Sequence, residues 1–253
     1  TGVQTCALPI LKVGLYSANR AEFIYVHLAV ISLGAVIIPI NNSLVDREVD
    51  YILKDGEASL LVTDTKLSVS IPSVDIHDLD FQARQRKASE APAFPSDLTE
   101  DEVCAFVYTS GTTGSPKGAM LTHRNLVRNV EQFTQMVIFK PEDKILCVLP
   151  MFHCYGLTTV IHAGLMHGST IVILRSKNPS EIINAIVEHS VTMAIMVPPM
   201  YNLLARRGEP SVMQTVHDFI SGGAPIPQPV AQAFYDRFHH PVREGYGLTE
   251  ASP

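Results

Sequence analysis

Residues 109–117 combine glycines, hydroxyl groups and a lysine in one short segment that follows the apolar run 103–108. Glycines let a backbone turn and present its N–H groups, hydroxyls add rotatable donors, and an ammonium group supplies a point charge for polyphosphate. The sequence therefore predicts a phosphate-binding loop after a strand. Its predicted binding residues are Thr109, Ser110, Gly111, Thr112, Thr113, Gly114 and Lys117.

Two other interpretations of this loop fit the sequence less well. A flexible Ser/Gly linker rarely separates an apolar strand from a second apolar segment, here residues 119–121, which we expect to open a helix. A Walker loop needs a glycine where Pro116 stands and a Ser or Thr after Lys117, where the chain has Gly118. The sequence thus disfavours a P-loop GTPase or ATPase.

Two further glycine-containing segments follow predicted strands. Residues 221–225 read Ser-Gly-Gly-Ala-Pro, and two adjacent glycines would let a flat group lie against bare backbone, although such a pair is also common in ordinary turns. Residues 245–250 read Gly-Tyr-Gly-Leu-Thr-Glu, with Glu250 where a dinucleotide fingerprint needs its third glycine. A Rossmann site is therefore excluded.

The histidines form no recognisable metal site. His153 lies in the segment Leu-Pro-Met-Phe-His-Cys-Tyr-Gly at 149–156, and a solitary His beside apolar residues is more often a satisfied core side chain. His162 with His167, and the pair His239 and His240, lack metal-ligand spacing with a third donor. We interpret these four as ordinary surface or helix residues.

Strand-like and helical patterns alternate from residue 103 onwards. Strands are predicted at 103–108, 145–149, 170–174, 191–197 and 216–220 and before Gly245; helices are predicted at 123–138, 156–167, 180–189, 199–206 and 227–238. This order predicts an α/β fold with parallel-rich sheets and helices on both faces. Since ligands bind beyond the carboxyl ends of such strands, we expect the three loops to form one site on one sheet.

The part before residue 103 is less regular. Residues 23–40 carry no charge and are long enough to raise the question of a membrane span, but a buried helix ending at Gly34 and a strand at 35–40 explain them without lipid. A short helix at 49–54 and a strand at 59–63 are predicted next. The polar, proline-containing residues 68–102 predict a loosely structured connection.

Composition limits the class of protein. The 253 residues are 46 % hydrophobic, enough for a sizeable core, and the net charge of −6 argues against a broad nucleic-acid or anionic-membrane surface. Peripheral membrane contact and the oligomeric state stay open. The four cysteines have no C-x-x-C spacing, which predicts reduced thiols in a cytoplasmic protein. Cys104 and Cys147 lie in apolar runs, so we expect both to be buried.

The segment 108–123, Tyr-Thr-Ser-Gly-Thr-Thr-Gly-Ser-Pro-Lys-Gly-Ala-Met-Leu-Thr-His, resembles the signature loop of the adenylate-forming superfamily of acyl-CoA synthetases, luciferases and peptide-synthetase adenylation domains. Segments 149–156, 221–225 and 245–250 are similar to family segments in the same order, and the resemblance covers residues 11–253. It implies part of the family's large domain. It also implies site roles: Tyr246 on adenine, Thr249 and Lys117 on phosphates, Glu250 on Mg²⁺, His153 and Gly223 beside the acid, and Gly222, Ala224, Gly245 and Gly247 lining the nucleotide site.

The resemblance further implies a two-step reaction. A carboxylate attacks the α-phosphate of MgATP to give acyl-adenylate and pyrophosphate, and the thiol of coenzyme A then displaces AMP, with no protein nucleophile needed. A fatty-acyl or medium-chain acyl-CoA ligase is the leading hypothesis, with coumarate-CoA ligases and luciferases as near neighbours. The alternatives are a peptide-synthetase-type adenylation domain, and a nucleotide- or acyl-binding module without turnover.

The two ends of the sequence raise a separate expectation. Residues 1–10 resemble translated sequencing-adapter sequence and are set aside from the fold. In the family, the ribose-binding aspartate and the small carboxy-terminal domain with its adenylation lysine would follow Pro253. We therefore expect residues 11–253 to be a partial large domain that does not turn over alone.

Overall fold

The computed structural model describes residues 11–85, 95, 97–109 and 115–252. The chain divides into two compact units, each with its own sheet. The first unit consists of the described residues up to Ser17 together with Glu22–His123, and the second of Ala18–Ala21 together with the residues from Arg124 onwards. We describe each unit by itself.

The first unit contains a six-stranded sheet in the order β4-β3-β1-β2-β5-β6. Neighbouring strands are parallel, except that β5 and β6 pair antiparallel. Three helices accompany the sheet in the described residues of this unit. In chain order the elements are β1 (Lys12–Tyr16), α1 (Ala21–Ser32), β2 (Val36–Ile40), α2 (Asp46–Asp55), β3 (Leu60–Thr63), β4 (Ser73–Asp75), α3 (Ile76–Gln85), β5 (Val103–Thr109) and β6 (Lys117–Thr122).

Helix α2 shows how the core of this unit forms. Its apolar residues Val49, Ile52 and Leu53 recur at helical spacing, so they share one face, and all three are buried in one cluster with Ile38 and Ile40 of β2. Fully burying an aliphatic side chain of this size contributes about 1.5–3 kcal/mol. The packing of α2 on β2 therefore supplies much of the stability of this part of the chain.

Several predictions for the first unit are confirmed. Helix α1 followed by β2 accounts for residues 23–40, and in the described part of the chain no helix is long and apolar enough to cross a membrane. Helix α2 and strand β3 lie where they were expected, and Cys104 is buried.

Three features of the first unit differ from the predictions. Strand β1 was not expected. Residues 119–121 belong to strand β6 and do not open a helix, because they pair along β5 from Thr122 to Lys117. The region 68–102 contains β4 and α3, since β4 pairs with β3 and Ile76 is fully buried. Tertiary pairing thus overrides weak local preferences here.

The second unit contains a five-stranded, fully parallel sheet in the order β11-β10-β9-β7-β8. Helix α4 (His123–Met136) belongs to this unit from Arg124 onwards. The other elements are β7 (Lys144–Cys147), α5 (Cys154–Gly156), a π-helical segment (Leu157–His162), α6 (Ala163–Met166), β8 (Thr170–Ile173), α7 (Pro179–His189), β9 (Met193–Met196), α8 (Pro198–Arg207), β10 (Asp218–Ser221), α9 (Gln228–Phe238) and β11 (Val242–Glu244), with 3-10 turns at Pro210–Met213 and Thr249–Ala251.

Helices cover both faces of this sheet, as predicted. Successive strand residues point to opposite faces, and Leu146 of β7 packs into a cluster formed with α7, α8 and α9. Ile145 points to the other face, where it lies against Gly164 of α6. In the cluster, the ring of Phe234 contacts Tyr201 and Phe219 edge-on, with centroids 5.2 and 4.9 Å away. Such pairs contribute about 0.5–1.5 kcal/mol beyond their buried area.

A buried carboxylate braces the amino-terminal edge of the sheet. Asp143, just before β7, accepts hydrogen bonds from the backbone N–H of Lys140 (2.8 Å), the hydroxyl of Thr192 (2.8 Å) and Nε2 of His217 (2.9 Å). The other ring nitrogen of His217 lies 3.1 Å from Asp218. Burial alone would raise the pKa of Asp143, but the hydrogen bonds outweigh it and lower that pKa. The charged carboxylate of Asp143 therefore links the residues that precede β7, β9 and β10 through hydrogen bonds.

Candidate functional site

Three segments predicted to carry chemistry meet at the carboxyl edge of the five-stranded sheet. Gly245, after β11, donates its N–H to the carbonyl of Ser221 at the end of β10 (2.8 Å). Gly222 donates its N–H to the carbonyl of Met196 at the end of β9 (3.2 Å). The carboxylate of Glu244 accepts from the N–H of Ile226 at 2.9 Å. The hydrogen bond from Gly245 to Ser221 thus holds segments 221–225 and 245–250 side by side.

Tyr155 connects the segment 149–156 to the same edge. Its hydroxyl lies 3.3 Å from the carbonyl of Met196 and 3.4 Å from that of Ile220, and it is the donor shared between them. Desolvation raises the pKa of Tyr155, so the hydroxyl keeps its proton at neutral pH. The ring packs on the backbone of Gly222. The next residue, Gly223, has a φ of +76°, a conformation that glycine adopts without strain.

His153 acts as the cap of helix α5. Its Nδ1 accepts the backbone N–H of Tyr155 at 3.1 Å, so the proton of the neutral ring is on Nε2. Desolvation lowers the pKa of His153, which favours this neutral form. By surface area the residue is exposed, although neighbouring protein atoms partly desolvate its ring, so it is not a core residue. His153 can therefore present an Nε2–H donor to a ligand from a fixed orientation.

Cys154 connects the segment 149–156 to the segment 245–250. Its Sγ lies 3.0 Å from the hydroxyl oxygen of Thr249, and both side chains are buried. Thr249 begins a 3-10 turn that continues to Ala251. The structure therefore brings together four predicted site regions in the second unit: His153, the loop at Gly222 to Ala224, the segment from Gly245 to Gly247, and Thr249 with Glu250.

The exposed part of this site consists of Tyr246 and its neighbours. Tyr246 is 88 % exposed, so its ring is open to stacking by a planar ligand. Gly245, Gly247 and Glu250 are exposed as well.

Among the described residues, no group of three His, Cys, Asp or Glu could enclose a metal ion. A single carboxylate such as Glu250 still suits Mg²⁺, which is commonly held by one or two carboxylates together with substrate phosphates.

Asn19 is a residue of this site region that sequence reasoning missed. Its side-chain amide donates to the carbonyls of Leu149 (2.8 Å) and Leu174 (3.3 Å), and its Oδ1 accepts the N–H of Met151 (2.9 Å). It therefore fixes the start of the segment 149–156. No local pattern indicates this role, because its partners lie 130 or more residues away along the chain.

The first unit holds the ends of the predicted phosphate loop. Thr109, the last residue of β5, pairs with Lys117, the first residue of β6. Lys117 is exposed. Five other predicted binding residues lie outside the described residues: Ser110, Gly111, Thr112, Thr113 and Gly114.

Tyr108 anchors the start of this loop, a role that the sequence did not reveal. Its hydroxyl donates to the carboxylate of Asp55 in α2 at 2.7 Å, and its ring packs against Gly118 across the β5–β6 pair. Desolvation and the hydrogen bond to Asp55 raise the pKa of Tyr108, so the donor is retained at neutral pH.

The expectation that all three loops lie on one sheet is wrong. The loop that follows Thr109 belongs to the six-stranded sheet of the first unit, whereas the loops after β10 and β11 belong to the five-stranded sheet of the second. Alternation of strands and helices along the sequence does not indicate where one sheet ends and the next begins, which explains the error.

The sequence matches one enzyme family and is similar to a CoA ligase and a CoA synthase. The profile of the family "AMP-binding enzyme" matches residues 9–253. The chain is 34 % identical to 4-coumarate–CoA ligase 3 of Oryza sativa subsp. japonica, over 93 % of this chain and 46 % of that protein. It is 32 % identical to a feruloyl-CoA synthase of an Amycolatopsis species, over 96 % of this chain and 50 % of that protein.

A solved structure agrees with these sequence relatives. The crystal structure of ATP-bound MatB from Rhodopseudomonas palustris superimposes with a TM-score of 0.86 at 27 % identity, covering 96 % of this chain and 51 % of that one. The chain thus spans about half the length of the relatives it matches.

Proposed function

The chain belongs to the family of AMP-binding enzymes, and on this premise we propose that the protein containing it activates a carboxylic acid with ATP and transfers the acyl group to coenzyme A. One observation carries the proposal: segments 149–156, 221–225 and 245–250 meet at one sheet edge, where Tyr246 is exposed beside Thr249 and Glu250. This arrangement suits a nucleotide with its base on Tyr246 and its phosphate near Thr249.

The first half-reaction requires charge neutralisation more than covalent catalysis. Attack of a carboxylate on the α-phosphate of ATP places negative charge on the phosphate oxygens and on departing pyrophosphate, and fixed cations and hydrogen-bond donors lower that barrier. In the proposal, Lys117 and the loop 109–114 bind the β- and γ-phosphates, and Thr249 donates to the adenylate phosphate. Glu250 holds Mg²⁺, which supplies further positive charge to the phosphates.

The acid lies beside His153 and Gly223 in this proposal. The names of the two sequence relatives refer to coumarate and ferulate, whereas the Ser-Gly-Gly-Ala-Pro and Tyr-Gly-Leu-Thr-Glu-Ala-Ser-Pro segments favour a fatty or medium-chain acid. The neutral Nε2–H of His153 could donate to a carboxylate oxygen of either kind of acid. We therefore commit to the class, a hydrophobic monocarboxylic acid, and leave its choice to a substrate panel.

Two further parts of the proposal concern the whole protein. Because the chain spans about half of its relatives, we propose that residues 11–253 are part of the large domain and that turnover also requires a small carboxy-terminal domain. The three described cysteines, Cys104, Cys147 and Cys154, are free and buried, which supports a cytoplasmic location.

The test is pyrophosphate release by the complete reading frame that contains this chain, with MgATP and a panel of hydroxycinnamic and C6–C16 fatty acids. Wild-type protein should release pyrophosphate with at least one acid and form the CoA thioester when coenzyme A is added. Lys117→Ala should lower kcat/KM about 100-fold, and Glu250→Gln should raise the Mg²⁺ concentration for half-maximal rate about 10-fold or more.

Two matched controls separate site effects from loss of surface charge. Lys54→Ala and Glu188→Gln change exposed residues of the same types outside the site, and both should retain wild-type rates. No pyrophosphate release with any acid would overturn the proposed function. Equal rates for Lys117→Ala, Glu250→Gln and the two controls would overturn the site assignment.

A further inference from the structure

A hydrogen bond between the side chains of Cys154 and Thr249 joins segment 149–156 to segment 245–250. The Sγ–Oγ1 distance is 3.0 Å, and relative exposures of 4 % and 8 % show that water has little access to either side chain. Buried polar groups of this kind are usually hydrogen-bonded, and this contact provides a partner for both. This link restricts the rotation of the Thr249 hydroxyl.

The direction of this hydrogen bond follows from what each group can offer. A hydroxyl has one proton and two lone pairs, so a Thr249 that donates to sulfur has no proton left for a phosphate oxygen. A thiol that donates to Oγ1 leaves the hydroxyl proton available. Burial raises the pKa of Cys154, and the hydrogen bond with Thr249 offsets this only in part, so the thiol is protonated and able to donate.

A competing acceptor for the thiol proton is farther away. Nδ1 of His153 lies 3.7 Å from Sγ and already accepts the N–H of Tyr155 at 3.1 Å. Thr249 offers the shorter distance and a free lone pair. Of these two acceptors, the oxygen of Thr249 is therefore the better placed for the thiol proton.

We propose that Cys154 is a positioning residue that holds the Thr249 hydroxyl with its proton directed to the phosphate of the bound nucleotide. The proposal rests on the proposed function, because it requires Thr249 to contact that phosphate. It predicts that hydrogen-bonding capacity at position 154, and not side-chain volume, determines affinity for the nucleotide phosphate.

Three substitutions separate hydrogen bonding from packing. Cys154→Ser keeps a donor in a similar volume, Cys154→Val fills the space without a donor, and Cys154→Ala removes both. Cys147→Ala is the matched control, because Cys147 is also fully buried in the second unit but lies in β7, outside the three site segments. Thermal unfolding of each variant shows which of them retain the fold.

The decisive measurement compares AMP with adenosine, which lacks the phosphate, in binding titrations of the complete reading frame. For Cys154→Val and Cys154→Ala, the Kd for AMP and the KM for ATP should rise about 5- to 10-fold, the effect of losing one hydrogen bond to a charged ligand. The Kd for adenosine and the KM for the acid should stay within about twofold of wild type, as one neutral contact contributes little to them. Cys154→Ser and Cys147→Ala should match wild type in all four quantities.

A double-mutant cycle then tests the route through Thr249. Cys154→Ala should have no further effect on AMP affinity in a Thr249→Ala background, because the group that it positions is already absent. Full additivity of the two changes would overturn the proposal, as would a Cys154→Val protein with wild-type AMP affinity.

Different results would contradict the role of Cys154 and the proposed function. If wild-type protein binds AMP and releases pyrophosphate but Cys154→Val is unaffected, only the role of Cys154 is wrong. If wild-type protein binds no AMP and releases no pyrophosphate with any acid, the proposed function is wrong and the positioning role is wrong with it. If Cys154→Ala unfolds, Cys154→Val and Cys154→Ser still give the comparison, and equal AMP affinity in those two overturns the proposal.

Discussion

The ring of Tyr155 lies so close to the backbone of Gly222 that position 222 has no room for a side chain. A Cβ added there would be 2.7 Å from Cζ of Tyr155, closer than real Cβ atoms approach other atoms. The flat group that packs on Gly222 is therefore a side chain of the protein itself. Gly223, Ala224 and Pro225, which are exposed, are the residues of this loop that a ligand can reach.

Gly222→Ala should destabilise the chain by about 1–3 kcal/mol, because the new methyl group forces the Tyr155 ring out of its place. Chemical denaturation of the purified chain measures this. Gly245→Ala is the matched control in the neighbouring segment, since its nearest contact would be Ser221 O at 3.8 Å and it should cost much less.

The cause can be checked by removing the ring. In a Tyr155→Ala background the Gly222→Ala change should cost less than about 0.5 kcal/mol, because the two residues then no longer collide. An unchanged cost in that background would show that something other than Tyr155 excludes a side chain at position 222.

Tyr108→Phe should lower the stability of the first unit by about 1 kcal/mol, since it deletes the hydrogen bond to the carboxylate of Asp55. Tyr25→Phe, at a tyrosine that is 58 % exposed in the same unit, is the control and should be nearly neutral. Hydrogen exchange of amides in β5 and β6 provides a local readout and should accelerate only in Tyr108→Phe. Equal exchange in both variants would contradict an anchoring role.

Asn19→Ala should cost about 2–3 kcal/mol, because it leaves the carbonyl of Leu149 and the N–H of Met151 without their partner. Asn19→Asp makes a sharper test of the same arrangement. The carboxylate could still accept from Met151, but it would place charged oxygen next to carbonyl oxygens, so the loss should be at least as large as for alanine. Urea unfolding at pH 7 measures both, and a near-neutral Asn19→Asp variant would contradict the hydrogen-bond assignment.

Acidification should weaken the brace around Asp143. The pKa of Asp143 is lowered in the folded state from its ordinary value of 3.8, so the stabilisation is fully present above that value and is lost as the pH falls through the lower folded value. Asp143→Asn should therefore cost about 1–3 kcal/mol at pH 7 and progressively less below about pH 4. Unfolding curves from pH 7 to pH 3 test this, and a cost that stays constant with pH would contradict it.

Elements that depend on residues close together in the sequence were predicted correctly, whereas elements that depend on pairing between distant residues were not. Helices such as α7 and α9 and the strand before Ser221 follow from local periodicity and lie where they were expected. Strand β6 was missed because residues 117–122 lack a strong strand preference and are extended only through pairing with β5. The assignment of the loops to two sheets was equally inaccessible, since it depends on strand order in space.

The candidate site shows the same limit. Tyr246, Thr249 and Glu250 could be named from one contiguous motif. The residues that hold this motif in place, such as Cys154 and Asn19, make their contacts across 95 and 130 or more residues of sequence. Their side chains are of ordinary types, and only the folded arrangement distinguishes them from other buried or loop residues.

The antiparallel pairing of Thr109 with Lys117 has a consequence for how this chain could change during evolution. Because strand register sets the position of Lys117, the number of residues between 109 and 117 can vary while the lysine keeps its place in the ladder. One residue inserted within β6 after Lys117 would instead turn the lysine to the opposite face of the sheet. The placement of Lys117 on the sheet thus tolerates changes in chain length before this residue but not within the strand after it.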